Sequence, residues 1–153
     1  MKKILLKNAK LVLENKLING SILIFKNKIE RIFTDKYNLS EFTFDEVIDL
    51  EGKYLGPAFI DIHIHGADGA DVMDSSEEAL RKISSYLVRE GTANFLATTL
   101  TSSKEILKEI LKVVANLQNK DIEGANIFGV HMEGPYFSIE YKGAQNDKYM
   151  LPA

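Results

Sequence analysis

The hydrophobic period of this chain changes once, near residue 54, and that change constrains the fold more than any other feature. Before it, apolar residues fall in short runs without helical spacing: KILLKNAKLVL, SILIFKNKIERIF and a stretch ending at Val47-Ile48. Polar breaks containing Asn15, Asn19-Gly20 and Asn27 separate them. Asn19-Gly20 and Lys26-Asn27-Lys28 read as hairpin connections, so residues 1–54 are expected to form a small antiparallel β unit. After it, strands alternate with amphipathic helices. FIDIHIHG (59–66) reads as the first strand, residues 94–99 as the second and 126–132 as the third. The helix expected over 76–90 has Ser75 and Glu78 spaced as a capping box, Leu80, Ile83 and Leu87 as its apolar stripe, and Gly91 as its terminator. The next begins with Ser102 and Glu105 as a second capping box and carries Ile106, Leu107, Ile110, Leu111, Val114 and Leu117 up to Gln118. Such alternation requires a parallel sheet, either open or closed into a barrel. Leu151-Pro152-Ala153 follows the third strand as a loop without a covering helix, so residues 55–153 are expected to be the front part of something longer.

Composition narrows the chemistry. With 153 residues and 45 % hydrophobic content the chain can bury a sizeable core. Nineteen basic against 22 acidic residues give a net charge of −3, without the basic excess that a nucleic-acid binder uses. Lys7, Asn8 and Lys10 interrupt the first apolar run before a signal peptide's core is complete, and no apolar run approaches the roughly 20 residues that span a bilayer. A cytoplasmic protein without nucleic-acid or membrane partners is expected. There is no cysteine, so a metal would have to be held by His, Asp or Glu, and the chain has only three histidines.

Two of them stand in FIDIHIHG. Strand alternation places Ile60, Ile62 and Ile64 on one face and Asp61, His63 and His65 on the other. Residues two apart on a strand are separated by about 6.6–6.8 Å, within reach of one zinc-type ion when the imidazoles lean together. Two ligands do not complete a tetrahedral site, and two surface histidines on a half-buried strand are the competing reading. The pair lies at the carboxyl end of a strand, where parallel α/β folds build their sites, and Asp68, Asp71 and Asp74 fill the following loop. The second cluster is GVHMEGPYF (129–137): Phe128, Val130 and Met132 on the helix-facing side, His131 and Glu133 on the other, and Gly134-Pro135 ending the strand. Glu133 would face the same mouth as His63 and His65, although a lone loop glutamate is usually solvated. His131 lies deeper and reads better as a hydrogen-bonded histidine behind the ligands than as a ligand. The third cluster, YKGAQN (141–146), is a polar loop in which Gly143 permits close backbone approach.

In combination these segments resemble the amidohydrolase superfamily, and within it the N-acetylglucosamine-6-phosphate deacetylases. The resemblance is carried by GPAFIDIHIHGADGADVMD (56–74), GTANFLATTLTSS (91–103), GVHMEGPYF and KGAQN (142–146), and the opening strands resemble that superfamily's amino-terminal β-sandwich. HxH after FID is shared by many amidohydrolases. HMEGPYF followed by KGAQ is more particular to the deacetylases, and it separates this reading from a cyclic-amide hydrolase. A non-catalytic metal-binding module complete at this length is the other alternative.

The resemblance implies an α/β fold: the amino-terminal part of a (β/α)8 TIM-like barrel, about three strands and two helices over 55–153, preceded by a small β-sandwich portion over 1–54. It implies metal-dependent removal of the acetyl group from N-acetylglucosamine 6-phosphate, giving glucosamine 6-phosphate and acetate. Glu133 matches the primary metal ligand, and His63 and His65 match a pair that holds a second metal. Zinc is the first candidate, with iron, manganese or cobalt as alternatives. Asp61 and His131 match positions behind the ligands. Ala144 and Gln145 match the loop that contacts the sugar, Ala144 through its backbone. The family's catalytic Asp, two further histidines and phosphate-binding residues come from later strands, so no catalytic residue is expected here and the isolated chain is expected to be inactive. About 40 % of a family-length chain is present on this reckoning. A homo-oligomer is expected, because open sheet edges tend to pair.

Overall fold

A computed structural model describes residues 2–152. The chain divides into two compact units, Met1–Pro57 and Ala58–Ala153.

In the first unit, β1 (Lys3–Leu13), β2 (Lys16–Phe25), β3 (Lys28–Thr34) and β4 (Glu46–Asp49) form a sheet in the order β3-β2-β1-β4, and the short β5 (Tyr54–Leu55) also pairs with β1. β1, β2 and β3 are antiparallel as expected, but β4 and β5 run parallel to β1. The expectation of a purely antiparallel unit is corrected there: 11 residues separate β3 from β4, Asp35 to Asp45, which is enough to carry the chain back along the sheet so that β4 runs in the same sense as β3 and β1. Lys26 and Asn27 adopt φ of 52° and 58°, the left-handed pair that a two-residue hairpin turn needs. Asn19-Gly20, by contrast, lies inside β2. Gly20 is there because β3 passes so close that a Cβ would strike the Phe33 carbonyl oxygen. Leu5, Leu23 and Phe33 form one buried cluster of this unit, and Ala9, Leu11 and Ile22 another.

The second unit has a three-stranded parallel sheet, order β10-β9-β6, built from β6 (Phe59–Ile64), β9 (Thr92–Thr99) and β10 (Asn126–Met132). The helices α1 (Glu77–Arg89) and α2 (Lys104–Leu117) link them. Leu80, Ile83 and Leu87 of α1 pack with Ile110, Val114 and Leu117 of α2 against Phe95, Ala97 and Ile127 of the sheet. Ile106 and Leu111, counted in the α2 stripe, are each 38 % exposed and lie at its margins. Both helix starts fall one residue later than the capping pattern predicts. The Ser76 hydroxyl caps α1 by accepting from Ala79 N–H, and Ser103 caps α2 by accepting from Ile106 N–H. Ser75 is unsuited to that role because it adopts left-handed backbone, φ 52°, closing the preceding 3-10 turn Val72–Asp74. Gly91, φ +85°, ends α1 as expected. A small hairpin, β7 (Gly66–Ala67) and β8 (Ala70–Asp71), follows β6 directly.

Strict alternation fails in two strands, and both failures shape the site. In β6, Asp61 pairs with Phe95 and Ile64 with Ala97, so three steps of β6 oppose two of β9. Ile64 therefore packs on the core, whereas Ile60 and Ile62 are exposed and do not share its apolar face. In β10 a shift between Ile127 and Gly129 likewise puts Ile127 and Val130 against the core and leaves Phe128 exposed, which corrects the expected Phe128–Val130–Met132 face.

Candidate metal centre

The carboxyl ends of β6 and β10 bring His63, His65 and Glu133 together, with one donor atom of each lying within 4.8 Å of the others. The Nε2 atoms of His63 and His65 are 3.3 Å apart. Glu133 Oε2 lies 3.4 Å from the first and 3.0 Å from the second. A tetrahedral ion with bonds of about 2.0–2.1 Å has edges of roughly 3.3 Å, so three donors at this spacing match three corners of one coordination sphere. Glu133 Oε2 is buried and has no hydrogen-bond partner despite its two imidazole neighbours. An orphaned carboxylate oxygen facing two imidazole nitrogens fits a cation, because burial without a partner is otherwise costly.

The β6 bulge contains His63, and side chains from three segments hydrogen-bond the backbone around it. Asp61 Oδ1 accepts from His63 N–H at 3.0 Å. His131 Nδ1 lies 3.1 Å from the Ile62 carbonyl, to which it donates in the Nδ1–H tautomer, and its ring meets His63 edge to face at 4.6 Å. The Thr98 hydroxyl, fully buried on β9, accepts from Ile64 N–H at 2.9 Å. Beyond β6, Val72 N–H donates to the His65 carbonyl at 2.7 Å, which folds the β7–β8 hairpin back on the strand. The acids of that loop have local duties: Asp71 accepts from Met73 N–H and Asp74 from Asp71 N–H.

Glu133 is fixed from the β9 side. The Thr101 hydroxyl reaches the Glu133 carbonyl at 3.5 Å, and a Cβ on Gly134, φ +93°, would collide with that hydroxyl. Thr101 N–H in turn donates to Gln145 Oε1 at 2.7 Å, and Lys142 Nζ donates to the Gln145 carbonyl at 3.1 Å. Gln145 is thus buried, while Ala144 beside it is exposed. Nothing in the hydrophobic period marks Thr98 and Thr101 as part of the site. Threonines at the carboxyl end of a parallel strand, in ATTLT, were the available signal.

The amidohydrolase family is matched by residues 54–151. The chain belongs to that family. Its similarity is to the deacetylases of phosphorylated amino sugars. N-Acetylglucosamine-6-phosphate deacetylase of Bacillus subtilis (strain 168) is 36 % identical over 154 residues, which is 98 % of this chain and 38 % of that protein. N-Acetylgalactosamine-6-phosphate deacetylase of Escherichia coli O157:H7 is 38 % identical over 98 residues, covering 64 % of this chain and 26 % of the relative. The crystal structure of N-acetylglucosamine-6-phosphate deacetylase from Pasteurella multocida superposes with a TM-score of 0.84 at 27 % identity, over 97 % of this chain and 38 % of that one. A D-hydantoinase shares the fold alone, with a TM-score of 0.58 at 19 % identity. The chain thus spans a little over a third of the length of the proteins it matches across its whole extent.

Proposed function

We propose that these residues supply the first part of the metal site of an enzyme that removes the acetyl group from N-acetylglucosamine 6-phosphate. The observation that carries this reading is the convergence of His63, His65 and Glu133 at one end of the parallel sheet. HMEGPYF and KGAQ accompany it, in a chain similar to deacetylases over its whole extent. That pairing favours a deacetylase over a cyclic-amide hydrolase. We read residues 1–54 as part of a β-sandwich and 55–153 as the opening strands of a (β/α)8 barrel; the family match from residue 54 onward and the parallel order β10-β9-β6 support this. A phosphorylated sugar substrate suits a cytoplasmic setting, which is the location proposed.

His63 and His65 through Nε2 and Glu133 through Oε2 are near enough to hold one divalent ion between them, where the resemblance divides Glu133 and the histidines between two; zinc is the best match to this nitrogen and oxygen set, with iron, manganese or cobalt as alternatives. When bound, such an ion supplies Lewis acidity, polarising an amide carbonyl and acidifying water. The chain's own contribution is orientation. Asp61 and His131 act behind the ligands, holding the His63 N–H and the Ile62 carbonyl and so fixing the aim of both imidazoles. In the 142–146 loop, Gln145 anchors the backbone through Thr101, and Ala144 offers exposed backbone to the sugar.

Zinc titration of the purified chain, followed by competition with a chromophoric chelator, is expected to give one tightly bound ion. His65→Ala and Glu133→Gln should each weaken it by more than the roughly 10- to 100-fold that losing a partner behind a ligand costs. Acetate release from N-acetylglucosamine 6-phosphate by the native gene product should be lost in Glu133→Gln. Turnover unchanged by that substitution would exclude this site from the reaction.

A further inference from the structure

A threonine in the middle of a sheet is ordinarily a packing residue, but Thr98 stands where the β6 ladder is broken. The register shifts between Asp61 and Ile64, and Ile64 resumes the ladder opposite Ala97. The Thr98 hydroxyl, on a residue with no exposed surface, accepts from Ile64 N–H at 2.9 Å, and it contacts the Leu96 carbonyl on its own strand at 3.3 Å. Ile64 is flanked on both sides by the two histidines whose Nε2 atoms lie 3.3 Å apart. In the register of the sheet Thr98 pairs with His131, whose ring holds the Ile62 carbonyl. Two neighbouring residues on β9 and β10 thus clamp the two peptide groups around His63.

We propose that Thr98 is a positioning residue for the metal site: its hydroxyl holds Ile64 N–H beside the register shift and locks the bulge that turns His63 and His65 toward one point. The proposal rests on the metal-site reading above. The hydroxyl can be tested apart from the packing, since valine has the same shape and would fill the same buried space while removing the acceptor that Thr98 offers Ile64 N–H. Serine keeps the acceptor and loses only a methyl group. Neighbouring Thr99 makes a control, because it is 1 % exposed and its hydroxyl has no partner.

The test uses cobalt(II) and zinc(II) on the whole 153-residue chain, reading the dissociation constant and the cobalt visible absorption bands. Thr98→Val is expected to bind about 10- to 100-fold more weakly, the usual cost of losing a partner behind the ligands, with displaced cobalt bands. Thr98→Ser should restore affinity and spectrum, and Thr99→Val should leave both unchanged. A folded Thr98→Val chain with the wild-type affinity and spectrum, or a folded Thr98→Ser chain that fails to recover them, overturns the proposal and leaves the metal site standing. Absence of binding by the wild-type chain would instead overturn both. Should Thr98→Val not fold, amide exchange on the wild-type chain decides. Ile64 N–H should exchange slowly without metal and more slowly with zinc; exchange at the rate of a free amide, or indifference to zinc, would sink the role assigned to Thr98.

Discussion

Asp49 shows how much one side chain can organise. Its carboxylate accepts from Glu51 N–H at 2.9 Å, from Asn8 Nδ2 through both oxygens at 3.0 and 2.9 Å, and pairs with Lys7 at 3.1 Å. The Glu51 N–H first, then Lys7 and Asn8, hold its pKa below the ordinary 3.8. A depressed carboxylate stabilises the fold while ionised, so its contribution is complete above about pH 4 and disappears as pH falls through the lowered value. Asp49→Asn is therefore expected to lower the denaturant midpoint near neutral pH and to converge with wild type under strongly acidic conditions. Parallel midpoint curves across that range would contradict the assignment. This anchor escapes a reading by periodicity because Asn8 and Asp49 are 41 residues apart, and only the β1–β4 pairing brings them together.

At the scale of elements, the helix stripes rank their own residues. Ile83 and Ile110 are no more than 1 % exposed, whereas Ile106 is 38 % exposed. Ile83→Ala should cost about 2–5 kcal/mol by leaving a cavity, and Ile106→Ala should cost clearly less; equal losses in chemical denaturation would mean that α2 packs in another rotation. Gly134→Ala sets a Cβ against Thr101 Oγ1 in left-handed backbone, so it should both destabilise the chain and weaken metal binding through Glu133. Zinc affinity measured on the folded variant checks this, and an unchanged value would show that the loop yields without moving the carboxylate. Element types and helix stripes were readable because periodicity is a local property. Helix starts slipped by one because Ser75-Ser76 and Ser102-Ser103 each offer two adjacent hydroxyls, and local spacing does not choose between them.

For the molecule as a whole, exposed apolar surface is the outstanding property of the second unit. Phe59, Ile60, Ile62 and Phe128 are between 54 % and 72 % exposed, and β6 and β10 are the outer strands of their sheet among the described residues. Open edges and apolar patches favour association. The purified chain is expected to self-associate at low micromolar concentration in light scattering, and a stable monomer with a cooperative melt would refute this. No helix among the described residues is long and apolar enough to cross a membrane.

By itself the sequence determined the change of period near residue 54, the order of strands and helices after it, and the residue types of a metal site, HxH and a glutamate before Gly-Pro. Each of these is written in neighbours a few positions apart. Tertiary structure alone decided that β4 and β5 run parallel to β1, that Gly20 makes room for β3, and that β6 bulges between Asp61 and Ile64. Those outcomes depend on hydrogen-bond partners distant in the chain, such as Thr98 for Ile64 and His131 for Ile62. A period-two pattern assumes an unbroken ladder, and whether the ladder is broken is settled only when the strands meet.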